Sequence, residues 1–288
     1  MAFPPLPAPL WLMGAILSIS VVVYRPTEKI LTDTLVSLRQ AIRFALATKN
    51  LSQVSLCLVD NGEQPDYFDP NHYAGIFSAE PAALTVHCLA GHGNVGYGRG
   101  HNLALVNAKS EYHLVLNPDV ILEQDALDCA LEFFRTEDSV ALISPQSRSP
   151  DGSTEYLCKR YPALLNLLLR GFAPDWLKKI FSDRLSRYEY KTETDDRKVF
   201  PTEIISGCFM FGKTEVFRSI NGFSSRYFMY FEDFDLSLRA ARYGRLLHAP
   251  TVKITHLGGK AASKGWNHIM MFLQSARMFY HCHGWRIF

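Results

Sequence analysis

Hydrophobic positions change period along the chain. Ile19–Tyr24 (ISVVVY), Val54–Val59 and Tyr112–Leu116 are short apolar runs rich in β-branched residues, the pattern of strands buried on both faces. Between the first two runs, Leu31, Leu35, Leu38, Ile42 and Ala45 recur at helical spacing and predict a helix over roughly Ile30–Leu46. Further strands are expected at Leu84–Leu89 and Val140–Ile143, with helices beginning about His101 and near Asp125–Phe134. This alternation predicts an α/β fold with a mainly parallel central sheet flanked by helices.

The second half has a different texture. An apolar run, Leu164–Phe172, is followed by Trp176, Leu177, Ile180 and Phe181. A strand is expected over Glu203–Phe211, then the aromatic cluster Tyr227–Phe231, an acidic helix start at Glu232-Asp233-Phe234-Asp235, and a strand at Val252–Thr255. Trp266, Ile269, Met270, Leu273 and Tyr280 repeat at helical spacing near the end. With no internal repeat, the simplest organisation is an irregular lead-in over residues 1–18, one folded domain over 19–259 and a basic amphipathic helix over 260–288.

Composition excludes several classes. At 288 residues, 48% hydrophobic and 20% charged, the chain is neither disordered, nor collagen-like, nor a multi-span membrane protein. A net charge of +2 gives no bulk attraction for nucleic acid. Six cysteines lack CxxC spacing, and Cys57 and Cys208 sit inside apolar runs, which argues against disulfides or zinc and for a reducing cytoplasmic compartment. Leu10–Tyr24 is uncharged but shorter than the ~20 residues that span a bilayer, and it has no basic segment before it. After Asp235 every charged residue is basic, from Arg239 to Arg286, which suits either an anionic surface or a solvated helix face.

Polar clusters fall where an open α/β sheet binds ligands, beyond the carboxyl ends of strands. Asp60-Asn61-Gly62 and Asn117-Pro118-Asp119 each follow a strand. The first could accept from a nucleoside base or ribose, and the second could offer oxygens to a hard divalent cation; both are also ordinary turn sequences. The stretch Gly93–Asn102 (GNVGYGRGHN) places close-spaced glycines before a helix, suited to phosphate or to a tight turn, and it is neither a Rossmann fingerprint nor a P-loop. Glu232 and Asp233 stand among aromatic residues, where a carboxyl can gain the raised pKa of a general base. His256 before Gly258-Gly259 could ligate a metal or be structural.

Taken in order, VVVY, LVDNG, GNVGYGRGHN, LNPDV, PDGS, ISGCFMF, NGF, YFMYFEDFDLSLR and ITHLGG resemble the family 2 glycosyltransferases, specifically the bacterial rhamnosyltransferase-like branch. The resemblance spans about Ile19 to Gly259 and implies the GT-A fold, with a nucleotide-binding half over 19–145 and an acceptor half over 146–259. It implies an inverting glycosyltransferase with Asp233 as catalytic base and Glu232 as its alternate. Asp119 and His256 would hold Mg²⁺ or Mn²⁺. Asp60, Asn61, Asn94, Gly96, Arg99, Asn102 and Asn117 would lie along the nucleotide sugar, and Gly207, Tyr230, Asp235 and Arg239 on the acceptor side. The implied donor is dTDP-L-rhamnose. The implied acceptor is a saccharide, lipid-linked through a polyprenyl diphosphate or part of lipopolysaccharide, at the inner face of the cytoplasmic membrane. Basic amphipathic segments over 164–181 and in the tail suit that surface or pack on the sheet. A UDP-sugar-dependent hexosyl- or galactofuranosyltransferase and a non-catalytic nucleotide-sugar-binding module are the rival readings. Where the family usually has GGFDE, this chain reads Asn221-Gly222-Phe223-Ser224-Ser225.

Overall fold

The computed structural model describes residues 14–63, 69–258 and 266–288. Most of the expected lead-in, together with Gly259, Lys260 and Lys264, lies outside the described residues. Strands are β1 (Ala15–Val23), β2 (Leu51–Asp60), β3 (Leu84–Leu89), β4 (Tyr112–Leu116), β5 (Val120–Leu122) and β6 (Val140–Arg148). They continue with β7 (Thr154–Glu155), β8 (Cys158–Lys159), β9 (Phe200–Pro201), β10 (Ile204–Ile205), β11 (Phe209–Lys213) and β12 (Arg245–His256). Helices α1 (Glu28–Ala47), α2 (Pro70–Gly75), α3 (Tyr97–Leu105) and α4 (Ala126–Thr136) belong to the first half. The second half holds α5 (Leu164–Phe172), α6 (Asp175–Ile180), α7 (Ser182–Tyr188), α8 (Lys191–Asp195), α9 (Thr214–Ser219), α10 (Glu232–Ala240) and α11 (Trp266–His283).

One sheet runs in the order β3-β2-β1-β4-β11-β6-β12-β5. Pairing is parallel from β3 through β4 and again between β6 and β12, whereas β11 enters antiparallel to both β4 and β6. The sheet is therefore mixed, and its parallel character is strongest in the first half. β1 sits between β2 and β4, so the crossovers leave it in opposite directions. That reversal opens a crevice at the carboxyl ends of β1 and β4.

Alternation in β1 assigns the two faces. Leu17, Ile19, Val21 and Val23 join one core with Leu31, Leu35, Leu38 and Ile42 of α1. Ser18 and Ser20 point the other way, where Ser20 Oγ bonds His101 Nδ1 (2.7 Å) and His113 Nε2 (3.0 Å) and Ser18 Oγ bonds His113 Nδ1 (2.7 Å). Burial holds both imidazoles below their ordinary pKa, so they remain neutral links beneath the sheet.

Three expectations change. The helix expected from His101 begins at Tyr97, with Gly96 (φ 89°) as its N-cap, so Gly98 and Gly100 lie inside the helix rather than in a phosphate loop. They allow close packing: a Cβ on Gly98 would stand 2.7 Å from Phe223 Cβ, and one on Gly100 2.9 Å from Val22. The strand expected over Glu203–Phe211 breaks at Ser206-Gly207-Cys208, and the residues on either side pair with different partners. The run 164–181 is two helices, α5 and α6, separated at Ala173-Pro174 because proline cannot extend the first.

The tail helix does two things at once. Phe279 and Tyr280 are fully buried against Tyr161, Tyr227 and Phe231, while Trp266, Met270 and Leu273 are exposed. No helix among the described residues is long and apolar enough to cross a membrane.

Candidate active site

Asn117-Pro118-Asp119 leaves β4 at the crevice, and Asp60-Asn61 leaves β2 beside it. Asn117 N–H donates to Cys208 carbonyl (2.9 Å) and Asp119 carbonyl accepts from Leu257 N–H (2.7 Å), so β11 and the end of β12 clamp this turn. His256 Nε2 stands 3.5 Å from Asp119 Oδ1, and its Nδ1 3.0 Å from Glu155 Oε2. These two carboxylates outweigh the effect of burial and raise His256 to about 9, so its ring is an imidazolium here.

Asn117 Oδ1 is buried with no hydrogen-bond partner, and the buried Asp119 Oδ1 has only the ion-pair contact with His256 at 3.5 Å. A Cβ at Gly258 would fall 1.7 Å from Asp119 Oδ2, so only glycine lets the chain pass this close. A carboxylate and an orphaned amide oxygen in a tight cradle fit a hard divalent cation. Among the described residues no three His, Cys, Asp or Glu side chains form a closed metal cage. Such an ion would need oxygens from a bound diphosphate to complete its shell, and His256 could ligate it only after losing its proton.

Asp60 Oδ1 accepts from Gly62 N–H (2.7 Å). Asn61 Nδ2 donates to Gly96 carbonyl (3.0 Å), its Oδ1 meets His92 Nε2 (3.1 Å), and Asn94 Oδ1 accepts from Gly96 N–H (3.0 Å). Asp60, Asn61, Asn94 and Gly96 therefore form one cluster at the start of α3. Arg99 and Asn102 turn elsewhere. Arg99 donates to Ser225 carbonyl, and Asn102 bonds both Phe223 N–H (2.8 Å) and Phe223 carbonyl (2.7 Å), clamping the turn that contains Gly222 (φ 62°).

The acidic start of α10 faces the break in the 203–211 segment. Tyr230 (φ 70°) and Phe231 (φ 62°) are both left-handed, a conformation that costs a bulky residue ~1–3 kcal/mol and needs strong anchoring. Phe231 supplies it, with ring centroids 5.2 Å from each of Phe234, Phe272 and Phe279. The turn delivers Asp233 so that Oδ2 accepts from Gly207 N–H (3.0 Å) and Oδ1 from Phe234 N–H (2.9 Å). Burial outweighs those bonds and the nearby Lys159 ammonium, and the Asp233 carboxyl is raised above its usual range. Glu232, with an orphaned buried Oε2, is pushed up to about 8 by burial and by Asp233.

Asp235 and Arg239 hold one another (Nε to Oδ2, 2.7 Å). Asp235 also meets His283 Nε2 (2.8 Å), and Arg239 reaches the carbonyls of Ile220 and Gly222. The pair braces α10 against the tail helix and the 221–225 turn. Tyr230 hydroxyl lies 2.9 Å from His268 Nδ1.

Sequence reasoning missed three participants. Tyr97 is partly buried and donates to Gly207 carbonyl (2.6 Å), and desolvation, helped by the Glu232, Asp233 and Asp119 carboxylates, raises its pKa. Glu155 is held by Ser147 (3.1 Å) and Ser149 (3.0 Å) beneath His256. Lys159 is buried with one recorded bond, to Tyr156 carbonyl at 3.3 Å. Tyr97 lies inside the glycine-rich motif and Glu155 two residues past the PDGS motif; Lys159 carries no local signal.

One expectation concerns pH. Glu232 has a folded pKa of about 8 against an ordinary 4.5. Over that interval the unfolded chain binds fewer protons, so stability falls as pH rises through it. Urea unfolding between pH 5 and 6.5, below the range in which His256 titrates, should show wild type losing about 2 kcal/mol while Glu232→Gln loses much less. A Glu232→Gln curve as steep as wild type would remove Glu232 as the cause.

No family model matches the chain. It is 26% identical over 234 residues to the N-acetylglucosaminyl-diphospho-decaprenol L-rhamnosyltransferase of Mycobacterium tuberculosis, covering 77% of this chain and 71% of that protein. It is 26% identical over 167 residues to rhamnosyltransferase WbbL of Escherichia coli K12, covering 54% and 58%. Among solved structures, GalNAc-T7 with UDP, GalNAc and Mn²⁺ superposes with a TM-score of 0.62 at 12% identity, over 93% of this chain and 48% of that one. The chain thus spans about half the length of that structure. The architecture is the GT-A fold, as the motif order implies.

Proposed function

We propose that this chain, a rhamnosyltransferase-like glycosyltransferase of the GT-A fold, moves L-rhamnose from dTDP-L-rhamnose to a saccharide carried on a polyprenyl diphosphate, with inversion. The observation that carries this reading is the convergence on Gly207-Cys208: Gly207 N–H holds Asp233 of α10, and Cys208 carbonyl holds Asn117 N–H of the crevice turn that contains Asp119. One side of that convergence suits a leaving diphosphate and the other an attacking hydroxyl. The name of the M. tuberculosis relative supports both the sugar and the lipid diphosphate.

In this reading Asp233, in its ionised form, takes the proton of the acceptor hydroxyl as that oxygen attacks the anomeric carbon. The bond to the diphosphate breaks and the nucleoside diphosphate leaves with the electron pair. Gly207 N–H fixes the base, and its raised pKa strengthens it. Glu232 keeps its proton at neutral pH and adds no second charge. Asp60 accepts from the nucleoside base. Asn117, Asp119 and a deprotonated His256 would hold Mg²⁺ or Mn²⁺, which when bound neutralises charge building on the diphosphate. Exposed Leu168, Trp176 and Ile180 beside Lys178 and Lys179 support a peripheral position at the inner face of the cytoplasmic membrane.

Calorimetric titration with dTDP-rhamnose, UDP-glucose, UDP-N-acetylglucosamine and GDP-mannose, each with metal and then with chelator, tests the donor. Metal-dependent binding of dTDP-rhamnose alone is expected. Preference for a UDP-sugar would replace the donor with a UDP-hexose or UDP-galactofuranose, and binding of none would overturn the glycosyl-transfer reading.

A further inference from the structure

A second basic site stands on the acceptor side, away from the nucleotide crevice. A cavity of about 520 Å³ is walled by α5, α7 and the segment after α11, and four arginines line it: Arg160, Arg184, Arg187 and Arg286. Only Asp183 and Glu203 oppose them among the lining side chains, and Glu203 Oε2 is already engaged by Tyr161 N–H (3.2 Å). Three of the arginines are mounted by contacts of their guanidinium groups. Arg184 is held through Nε by Asn166 Oδ1 (2.6 Å), and Arg160 through Nε by Arg187 carbonyl (3.0 Å). Arg286 stacks 4.1 Å above the Tyr161 ring, and its carbonyl accepts from Leu164 N–H (2.9 Å). Fixing Arg184 through Nε and Arg286 by its stacked face leaves their terminal amino groups for a bidentate anion, whereas Arg160 Nη2 already stands 3.7 Å from Glu193 Oε1.

Two buried groups connect this cavity to the base. Tyr188 lines it, is 1% exposed, and has a hydroxyl with no partner. Lys159, 8% exposed, is a nearly bare buried ammonium. The backbone joins them to the base: Arg160 N–H donates to Tyr188 carbonyl (2.9 Å), and Lys159 pairs with Ile204 of β10, the strand that leads into Gly207, whose N–H holds Asp233. The rim is apolar: Ile180 (67% exposed) and Phe288 line the mouth, and Trp176 (64% exposed) projects from the same helix as Ile180.

We infer that this cavity seats the diphosphate of a prenyl-diphosphate-linked acceptor, with its oxygens on Arg184, Arg187, Arg286 and Tyr188, its prenyl chain leaving over Ile180 and Phe288, and its sugar reaching toward Asp233. The inference deepens the proposed acceptor class and rests on that reading. A free phosphate would gain nothing from the apolar rim, and a bilayer headgroup would not need the buried Tyr188 hydroxyl at the wall of the cavity.

Titration of the full chain with farnesyl diphosphate, without donor, tests it. Wild type should bind. The double variant Arg184→Gln/Arg187→Gln should bind about tenfold or more weakly, since two charge-assisted contacts are lost. Tyr188→Phe, which removes a hydroxyl without a partner and leaves the ring, should bind a few-fold more weakly with an unchanged unfolding temperature. Inorganic pyrophosphate should displace the probe, and phosphatidylglycerol vesicles should not. Unchanged affinity in Tyr188→Phe together with the double variant overturns the inference, as does displacement by the vesicles as effective as by pyrophosphate. These readouts need no sugar donor, so they fail separately from the donor screen.

Discussion

Replacing Asp233 with Asn is expected to lower sugar transfer by roughly 10²–10⁴-fold, the range in which a positioned general base contributes. The geometry makes the loss specific. Asp233 accepts from Gly207 N–H at one oxygen and from Phe234 N–H at the other. An asparagine can accept at only one of these, so its amide both loses the basic lone pairs and faces an N–H with an N–H₂. The crevice proposed for the nucleotide is built from other elements, β2 and β4 and the start of α3, and donor affinity by calorimetry should stay within a few-fold of wild type. Nucleoside diphosphate release with acceptor present is the readout. A variant that transfers sugar at near wild-type rate, with normal donor binding, would remove Asp233 from the chemistry and turn attention to Glu232.

The second large effect is expected at the opposite side of the convergence. Asp119→Ala removes the carboxylate of the cradle, the group 3.5 Å from His256 Nε2. If Asp119 is the acidic metal contact, metal-assisted donor affinity should fall about 10–100-fold, and chelator should then make no further difference. The fold should survive, because the backbone bonds that hold the turn, Asn117 N–H to Cys208 carbonyl and Leu257 N–H to Asp119 carbonyl, do not use the side chain. Calorimetry with and without Mn²⁺ decides it. Undiminished metal dependence in the variant would place the ion on other oxygens.

Much of the scaffold was legible because local periodicity reports which face of an element is buried. The α1 stripe, the apolar runs of β1, β2 and β4 and the strand Leu84–Leu89 all lie in or near the expected places. The polar turns at Asp60 and Asn117–Asp119 were legible for a related reason: residues that cannot continue a buried strand mark its carboxyl end. Errors came where two demands compete within a few residues. The glycines at 98 and 100 read as a loop because glycine weakens a helix, yet contact with Phe223 and Val22 requires them there. The 203–211 segment read as one strand because its apolar run is continuous, and the break at Gly207 shows only when α10 packs against it.

Roles assigned by motif divide in the same way. Asn94 and Gly96 stay with the Asp60 cluster, whereas Arg99, Asn102, Asp235 and Arg239 direct their polar atoms to carbonyls, amides and one another. A motif records that a polar side chain is needed, not whether its partner is a ligand or the protein's own backbone.

By itself the chain of residues determined the alternation of elements, the positions of strand ends and the acidic start of α10, because each depends on neighbours within a turn or two. Tertiary structure alone decided that Glu155 lies under His256, 101 positions away, that Tyr97 joins Gly207, 110 positions away, and that Lys159 is buried near Asp233. Such contacts are set by sheet order and helix packing. Burial, which shifts the charges of Glu232, Asp233 and His256, belongs to the assembled fold rather than to any segment of it.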